Sequence, residues 1–343
     1  MTTNARRQPP AEWAPHAAVW LAWPSDIELW NDALPAVQRE FIDLCRAIAK
    51  PDIETTGETL NIVTKTEKDA EAVRSAMADL DARVFEANYG DIWLRDTAPI
   101  FTRGPKAHYF RFNGWGQRYE LPGDDTIAVS IAQKAAVALW THDLVLEGGA
   151  VEFDGEGTLM TTRSCLLNAN RNPGRTEANV TAQLKSAFGI DRVIWLSEGL
   201  LNDHTDGHID TLVRFVAPGH VVCMRPSTPD DPNADVLNRL QRELANVVDA
   251  KGRRLQITSI PSPGRVADDD ATIMPASYVN FYIANHSVVV PTYGVAPDDE
   301  AVAAIAELFP TRKVFGRSAR HLLVGGGAFH CITQQQPKYD QLL

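Results

Sequence analysis

Length, composition and charge already exclude several classes of protein. The chain has 343 residues, of which 44% are hydrophobic and 22% charged, which is typical of a folded globular protein and excludes disordered, collagenous and coiled-coil chains. It carries 33 basic and 44 acidic side chains, a formal net charge of −11. This sign argues against a nucleic-acid partner, whose phosphates require a basic surface, and fits a small cationic ligand better.

The cysteines and the N-terminal region predict a reduced protein of the cytoplasm. Cysteines at positions 45, 165, 223 and 331 are too few and too scattered for a disulfide scaffold or a CxxC zinc site. The apolar stretch 17–23 is followed at once by proline, serine and aspartate. We therefore expect neither a signal peptide nor a membrane-spanning helix.

Apolar spacing predicts helices that alternate with strands along the whole chain. Leu34, Val37 and Phe41 recur at helical spacing, and Thr66 is a suitable N-cap for the next helix. The predicted helices cover residues 33–50, 66–80, 126–140, 176–188, 233–250 and 298–309. The predicted strands cover residues 17–23, 58–64, 82–86, 107–113, 142–146, 158–162, 192–196, 208–216, 219–224, 254–260, 278–283, 286–290 and 312–316.

About five helix-containing units follow one another in this pattern, and no linker or charged block divides them. The sequence therefore predicts one α/β domain over residues 1–343, with residues 1–10 as a polar tail.

The familiar signatures of nucleotide-binding proteins and serine hydrolases are missing. The sequence contains no GxGxxG, GxxxxGK[ST], GxSxG or HExxH motif. Polar, glycine-bounded segments stand out instead at 91–96, 147–149, 203–210 and 325–331, roughly one structural unit apart. We expect the functional side chains to lie in these segments.

Cys331 is the candidate nucleophile. A free cysteine is most often a small buried hydrophobe, and that reading suits the other three cysteines. Cys331 differs because three glycines and a histidine precede it. Glycines allow a ligand to approach the main chain closely, and other segments supply the partners that a nucleophile needs.

His208 and Asp210 form the second candidate group. If this segment is a strand, their period-two spacing points both side chains to one face, where they can act in acid–base chemistry or form a structural pair. A zinc site built from His204, His208 and Asp210 requires a helix, which Gly207 and the β-branched run after it disfavour.

Three further segments offer weaker signals. Trp93 and Asp96 lie in a segment that either lines a site or is a loop anchored by an Arg–Asp pair. Glu147 follows the predicted strand 142–146, and functional side chains often project from strand ends. Trp115, between two glycines, is either an aromatic wall of a site or the buried side chain of a turn.

Short motifs over nearly the whole chain resemble those of the agmatine deiminases, a family that also includes bacterial-type peptidylarginine deiminases. The motifs are AEWAPH at 11–16, WLAWP at 20–24, WLRDT at 93–97, FNGWG at 112–116, EGG at 147–149, NRNP at 170–173, GHID at 207–210 and GGGAFHCIT at 325–333. The resemblance implies the pentein fold, a five-bladed α/β propeller of ββαβ-type modules around a central site.

The resemblance also implies roles for single residues. Cys331 matches the nucleophile, His208 the acid–base histidine, and Asp96 and Asp210 the carboxylates that bind the guanidinium. The expected substrate-binding residues of the pocket are Trp93, Trp115, Glu147 and His204. Neither a metal nor an organic cofactor is implied; the expected partners are a small cationic guanidino substrate and a second copy of the chain in a homodimer.

The implied reaction is hydrolysis of agmatine to N-carbamoylputrescine and ammonia, a step toward putrescine, through a covalent thiouronium on cysteine. Two departures affect the substrate's tail: the family usually has an acidic residue at His204 and asparagine at Ala328. Three alternatives therefore stay open. They are deimination of free or peptide-terminal arginine, with Arg95, Arg111 or Arg118 binding its carboxylate; amidino transfer; and non-catalytic binding of cationic guanidines.

Overall fold

A computed structural model of the protein describes residues 6–52 and 55–339. The strands of these residues are β1 His16–Ala22, β2 Thr59–Thr64, β3 Ala82–Glu86, β4 Ile100–Phe101, β5 Lys106–Arg111, β6 Ala138–Val145, β7 Glu152–Phe153, β8 Thr158–Thr162, β9 Arg192–Leu196, β10 Val213–Ala217, β11 His220–Arg225, β12 Gln256–Pro261, β13 Tyr282–Ile283, β14 Ser287–Thr292, β15 Lys313–Ser318 and β16 Gln334–Pro337.

Helices connect these strands. The α-helices are α1 Ile27–Trp30, α2 Leu34–Ala49, α3 Glu67–Ala76, α4 Leu94–Thr97, α5 Gly114–Gln117, α6 Ile127–Lys134, α7 Arg163–Leu166, α8 Glu177–Phe188, α9 Ala234–Leu244 and α10 Asp298–Leu308. Short 3-10 helices cover Asn31–Ala33, Gly148–Ala150, Ile209–Thr211 and Leu322–Gly325.

Within the described residues the strands form five sheets of one pattern. Four have the orders β4-β5-β6, β7-β8-β9, β10-β11-β12 and β13-β14-β15. In each, the first two strands are antiparallel and the last two are parallel. A helix makes each parallel connection, as such a crossover requires. These are ββαβ modules, as predicted.

The fifth sheet joins the two ends of the described chain. Its order is β16-β1-β2-β3. Strand β16 runs antiparallel to β1, with Gln334 opposite Trp20, and β1 runs parallel to β2. The strand supplied by the C-terminal part therefore completes the module that the N-terminal part begins, and five modules form the α/β propeller.

Apolar periodicity explains why the helices form where they do. In α2, Val37 and Phe41 are fully buried, as the helical spacing predicts, and so are Leu44 and Ile48 further along the same face, whereas Leu34 at the start of the helix is half-buried. One face of the helix therefore packs on the sheets. The side chain of Thr66 accepts a hydrogen bond from the main-chain N–H of Asp69 and caps α3, as predicted.

Three predicted helices are too long. The helix predicted over 66–80 ends at Ala76, and the other two overshoot by more. Residues 126–140 and 233–250 were expected to be helical, but α6 ends at Lys134 and α9 at Leu244. After α6, Ala136 has a φ of +53°, a left-handed turn that reverses the chain into β6. Apolar residues of the following segment continue the helical spacing by coincidence, because spacing alone does not reveal a sharp turn.

Part of the predicted polar tail, residues 1–10, is described by the structure, and this part contacts the rest of the chain from Arg7 onward. Arg7 and Gln8 donate hydrogen bonds to the main-chain oxygens of Ser186 and Gly189, and Pro9 and Pro10 are buried. Residues 1–5 lie outside the described residues. In the described chain, no helix has both the length and the apolar character that crossing a membrane requires.

Candidate active site

Loops from several modules enclose a cavity of about 200 Å³. Its walls are mainly aromatic and apolar, with glycines on one side and Cys331 and Asp96 among the lining residues. The lining residues are Leu29, Trp30, Asp91, Trp93, Asp96, Trp115, Tyr119, Leu121, His204, Thr205, Val324, Gly325, Gly326, Gly327 and Cys331. Such a concave, largely apolar site with a few polar groups is typical of small-molecule binding.

Cys331 is buried next to two polar side chains. Its Sγ lies 3.2 Å from Asn280 Nδ2, which donates to it, and 3.7 Å from Asp210 Oδ2. Burial raises the pKa of the thiol well above its usual range, and the carboxylates of Asp210 and Asp96 raise it further. A Cβ on Gly327 would lie 3.1 Å from Sγ, so glycine leaves the space that a ligand needs.

Asp96 lies on α4, where a loop was one of the predictions. Its Oδ1 accepts a hydrogen bond of 2.9 Å from the main-chain N–H of Gly149, and its Oδ2 accepts one of 2.8 Å from Trp115 Nε1. Burial raises the pKa of Asp96, and Asp210 and Glu147 also raise it, although the nearby His208 lowers it. The net direction is upward.

A left-handed turn places Trp115 against Asp96. The residues from Gly114 to Gln117 all have positive φ, including +52° at Trp115. Such a conformation costs about 1–3 kcal/mol for a residue with a side chain. The glycines relieve it, since a Cβ on Gly114 would lie 2.4 Å from the carbonyl oxygen of Tyr119. Trp115 is thus both the buried side chain of a turn and a wall of the cavity.

His208 and Asp210 reach the site from a turn. The period-two argument for a strand over 208–216 is wrong at its start, because Ile209–Thr211 is a 3-10 helix and β10 begins at Val213. Both side chains nevertheless point to the same place. A Cβ on Gly149 would lie 2.6 Å from His208 Nδ1 and 3.1 Å from Asp210 Oδ2, so only glycine fits between them.

His208 is surrounded by acidic groups. Its Nδ1 is 3.7 Å from Asp96 Oδ1, and its Nε2 is 4.0 Å from Glu147 Oε2. Burial lowers the pKa of His208, but the carboxylates of Asp96, Glu147 and Asp210 outweigh burial and raise it. The ring therefore tends to hold a proton that it can donate.

Asp210 is held from behind by a histidine. His330 Nδ1 lies 2.7 Å from Asp210 Oδ2, and His330 Nε2 lies 2.8 Å from Glu12 Oε2. Burial raises the pKa of Asp210, but the hydrogen bond and the charge of His330 outweigh it and lower the pKa. Among the described residues, Asp210 Oδ1 has no hydrogen-bond partner, so this oxygen remains free for a ligand.

The expected pocket residues are not all in the cavity. Trp93 lines it, and its Nε1 donates to Asp91 Oδ2 at 2.9 Å. His204 also lines it, next to Tyr119. Glu147 does not: it is fully buried and bonded to Arg171 at 2.6 Å. A strand end predicts a projecting side chain, but Glu147 projects behind His208.

Sequence reasoning missed the residues that support the site. Asn280 was assigned only to a strand, Glu12 and His330 only to quoted motifs, and Arg214 was not singled out. A histidine directly before a candidate nucleophile was a usable signal for His330. No local pattern pointed to Asn280, which meets Cys331 from 51 residues away.

One group of potential metal ligands occurs among the described residues. Glu147, Cys165 and His208 each bring one ligand atom to within 4.8 Å of the others. The zinc group considered from the sequence, His204 with His208 and Asp210, does not converge in this way. One oxygen of Glu147 is already bonded to Arg171.

Solved structures share this architecture. The structure described as agmatine deiminase of Enterococcus faecalis catalysing its reaction has a TM-score of 0.88 at 29% identity, covering 97% of this chain and 96% of that chain. The putative arginine deiminase from Porphyromonas gingivalis has a TM-score of 0.85 at 34% identity, covering 96% and 98%. The protein therefore has the pentein fold, with Cys331 and Asp96 in the wall of its cavity and His208 and Asp210 next to them.

Sequence comparison defines the family more closely. The model of the Porphyromonas-type peptidyl-arginine deiminases matches residues 8–337. The agmatine deiminase of Stutzerimonas stutzeri is 36% identical, covering 96% of this chain and 95% of that protein. The chain belongs to the Porphyromonas-type peptidyl-arginine deiminase family.

Proposed function

We propose that this protein is an agmatine deiminase, which hydrolyses agmatine to N-carbamoylputrescine and ammonia on a route to putrescine. The observation that carries the proposal is the convergence of four side chains: Cys331 and Asp96 line the aromatic cavity, Asp210 lies 3.7 Å from the Cys331 sulfur, and His208 lies 3.7 Å from Asp96. Relatives named agmatine deiminase, about 35% identical over nearly the whole chain, support the same activity.

The two carboxylates suit a guanidinium. A guanidinium is a planar cation whose N–H groups form charge-assisted hydrogen bonds with carboxylate oxygens. A Cβ on Gly149 would lie 2.9 Å from Asp96 Oδ1 and 3.1 Å from Asp210 Oδ2, so the two carboxylates lie close together beside this glycine. Binding between them orients the substrate and concentrates positive charge at the carbon that Cys331 attacks.

The reaction follows in two halves. The thiolate of Cys331 adds to the guanidinium carbon, and the His208 imidazolium protonates the departing nitrogen, which leaves as ammonia. A thiouronium on Cys331 remains. Neutral His208 then takes a proton from water as the water attacks the same carbon, and the C–S bond breaks to release the ureido product and the thiolate. This sequence requires no metal or organic cofactor.

The cavity favours an amine tail over a carboxylate. Among the described residues, no lysine or arginine lines it. Of the cations considered for arginine, Arg95 bonds the carbonyl oxygen of His330 behind the site, and Arg118 pairs with Asp206. The indole and phenol faces of the cavity attract an ammonium instead.

The family is expected to have an acidic residue at the position of His204, so this cavity differs from the family's at one lining residue. This difference favours a second candidate substrate, a different guanidine with a less basic tail. Ala328, the other departure, is buried and outside the lining. We also propose, on the family resemblance, that residues 1–343 form one catalytic domain, that the enzyme is a homodimer, and that it is cytoplasmic.

A substrate panel tests the proposal. Agmatine, arginine and a peptide ending in arginine are incubated with the wild type and with Cys331→Ser, and ammonia and ureido product are measured. We expect turnover of agmatine and a loss of at least about 10⁴-fold in Cys331→Ser. Turnover of arginine but not agmatine would reverse the substrate assignment, and product that depends on an added amine would indicate amidino transfer.

A non-catalytic binder is the remaining alternative. It predicts that calorimetry detects agmatine binding to the wild type without product, with equal affinity in Cys331→Ser. That result would overturn the enzymatic assignment altogether.

A further inference from the structure

His330 lies between two acidic side chains, and both of its ring nitrogens are occupied. Nδ1 is 2.7 Å from Asp210 Oδ2 and Nε2 is 2.8 Å from Glu12 Oε2. The side chains of all three residues are at most 6% exposed. Water is therefore largely excluded from both contacts.

These two contacts determine how many protons the His330 ring must carry. A neutral imidazole has one N–H and one lone pair, whereas a carboxylate only accepts. With two carboxylates, a neutral ring would point a lone pair at an oxygen less than 3 Å away. An imidazolium donates to both. The arrangement therefore calls for a positively charged His330.

Other charged groups around His330 agree with this count. Glu12 Oε2 also accepts from Arg214 at 2.7 Å. Burial raises the pKa of Glu12, but Arg214 and His330 outweigh it and hold the pKa well below its usual range. Arg214 also bonds Glu152 at 3.0 Å, and Arg95 lies 3.7 Å from Glu12. Three cations thus face three acidic groups behind the site.

The cluster is coupled directly to the nucleophile. Asp210 Oδ2, the oxygen that His330 bonds, is also 3.7 Å from Cys331 Sγ. A positive charge on His330 offsets part of the field with which Asp210 opposes ionisation of the thiol. It also fixes Oδ2, so that the unpartnered Oδ1 is left for the substrate.

We propose that His330 is a positioning residue that remains an imidazolium between Glu12 and Asp210, where it orients Asp210 for the guanidinium and weakens the repulsion between Asp210 and the Cys331 thiolate. It acts through Asp210 and does not exchange protons with the substrate. The inference depends on the proposed nucleophile, Cys331, but not on which guanidine is the substrate.

The protonation state is measured on the wild-type protein without substrate. Histidine is labelled with ¹⁵N, and the His330 ring signals are assigned by their absence in His330→Asn. We expect both ring nitrogens to carry a proton at pH 7.5, as the two contacts with carboxylate oxygens require. A ring with one protonated and one bare nitrogen at pH 7.5 would overturn the proposal, and this readout is made on the wild type and does not depend on turnover.

The effect on the thiol is measured with His330→Asn, whose amide can still donate to Asp210 but carries no charge. Alkylation of Cys331 by iodoacetamide at pH 7.5 should become about tenfold slower, because the pH profile moves upward by about one unit. The kcat for agmatine should fall while KM stays equal or decreases, since the substrate meets a more negative Asp210. Cys331→Ser reports any alkylation of the fully buried cysteines.

His321→Asn is the matched control, because His321 also pairs with a carboxylate, Glu40, at 3.1 Å but is 49% exposed. It should leave the alkylation profile unchanged. A merely structural role for His330 predicts a lower melting temperature with an unshifted profile. A folded His330→Asn with the wild-type profile would therefore overturn the proposal. Absence of agmatine turnover in the wild type would instead count against the proposed substrate and leave both readouts valid.

Discussion

The two carboxylates of the site are both buried but are held in opposite ways. Asp96 receives neutral donors, the indole N–H of Trp115 and the main-chain N–H of Gly149. Asp210 receives a histidine that is itself paired with Glu12. The pKa of Asp96 is raised, with burial as its largest cause, whereas the pKa of Asp210 is lowered despite burial.

This difference shows that the partner, more than the depth, decides the charge of a buried acid. Neutral donors satisfy the oxygens of Asp96 without compensating its charge, so desolvation prevails. A cationic partner compensates the charge of Asp210. The site thus combines one carboxylate whose charge a cationic partner stabilises with a second whose charge burial disfavours.

Replacing each carboxylate in turn with an amide should show that Asp210 and Asp96 contribute unequally to kcat/KM. Asp210→Asn should lower kcat/KM for agmatine about 10³-fold, and Asp96→Asn about 10²-fold, because Asp210 is the more firmly ionised partner and its loss also leaves the His330 charge unpaired. Steady-state kinetics at pH 7.5 measure both. Equal losses, or the reverse order, would contradict the comparison.

Asp124→Asn is the control for burying an amide in place of an acid. Asp124 is buried outside the cavity, and burial raises its pKa to about 7. It accepts hydrogen bonds from the main chain of Gly90 and Asp91, which an amide oxygen can also accept. We expect kcat/KM to change by less than about threefold, because the amide keeps both accepted hydrogen bonds and the residue does not line the cavity.

The sequence predicted local features of the fold better than contacts between distant parts of the chain. Apolar spacing predicted most helices and strands, because positions such as Val37 and Phe41 repeat within one element. The pairing of Gln334 with Trp20 had no such signal, since it joins segments more than 300 residues apart. The family motifs, rather than the spacing, indicated five blades.

For the site, residue type predicted the candidates better than geometry did. Period-two spacing suggested a strand for His208 and Asp210, yet the chain turns there, because a 3-10 helix precedes β10. Glu147 was placed in the pocket because strand ends project, but sequence does not tell on which side of His208 the end lies. Asn280 and Glu12 act over long separations and leave no periodic trace.

Removing one neutral hydrogen-bond donor from Asp96 should widen the difference between the pKa values of Asp96 and Asp210. Trp115→Phe keeps an aromatic wall but deletes the N–H that bonds Asp96 Oδ2. That hydrogen bond lowers the pKa of Asp96, so its loss should raise the pKa and start the acid-side fall of kcat/KM at a higher pH. At pH 7.5 we expect a loss of about tenfold.

The measurement is the pH profile of kcat/KM for the wild type and for Trp115→Phe. Trp93→Phe is the matched control, because its indole N–H bonds Asp91 and not Asp96. It should alter KM without moving the acid limb. A Trp115→Phe profile that falls at the same pH as the wild type would show that neutral donors do not govern Asp96.

The smallest expected effect concerns the thiol that both acids oppose. Burial, Asp210 and Asp96 together raise the pKa of Cys331 well above its usual range, so the free enzyme should hold a thiol at neutral pH. A guanidinium bound between the two carboxylates should lower the pKa of Cys331 by about half a unit or more. Below that pKa, the fraction of thiolate should then rise about threefold. Thiolate absorbance near 240 nm, with Cys331→Ser subtracted, follows the change when an unreactive guanidine is added. If the thiolate is already present without ligand, the acids do not control the nucleophile; if it appears only with ligand, the enzyme activates its cysteine only when there is a cation to attack.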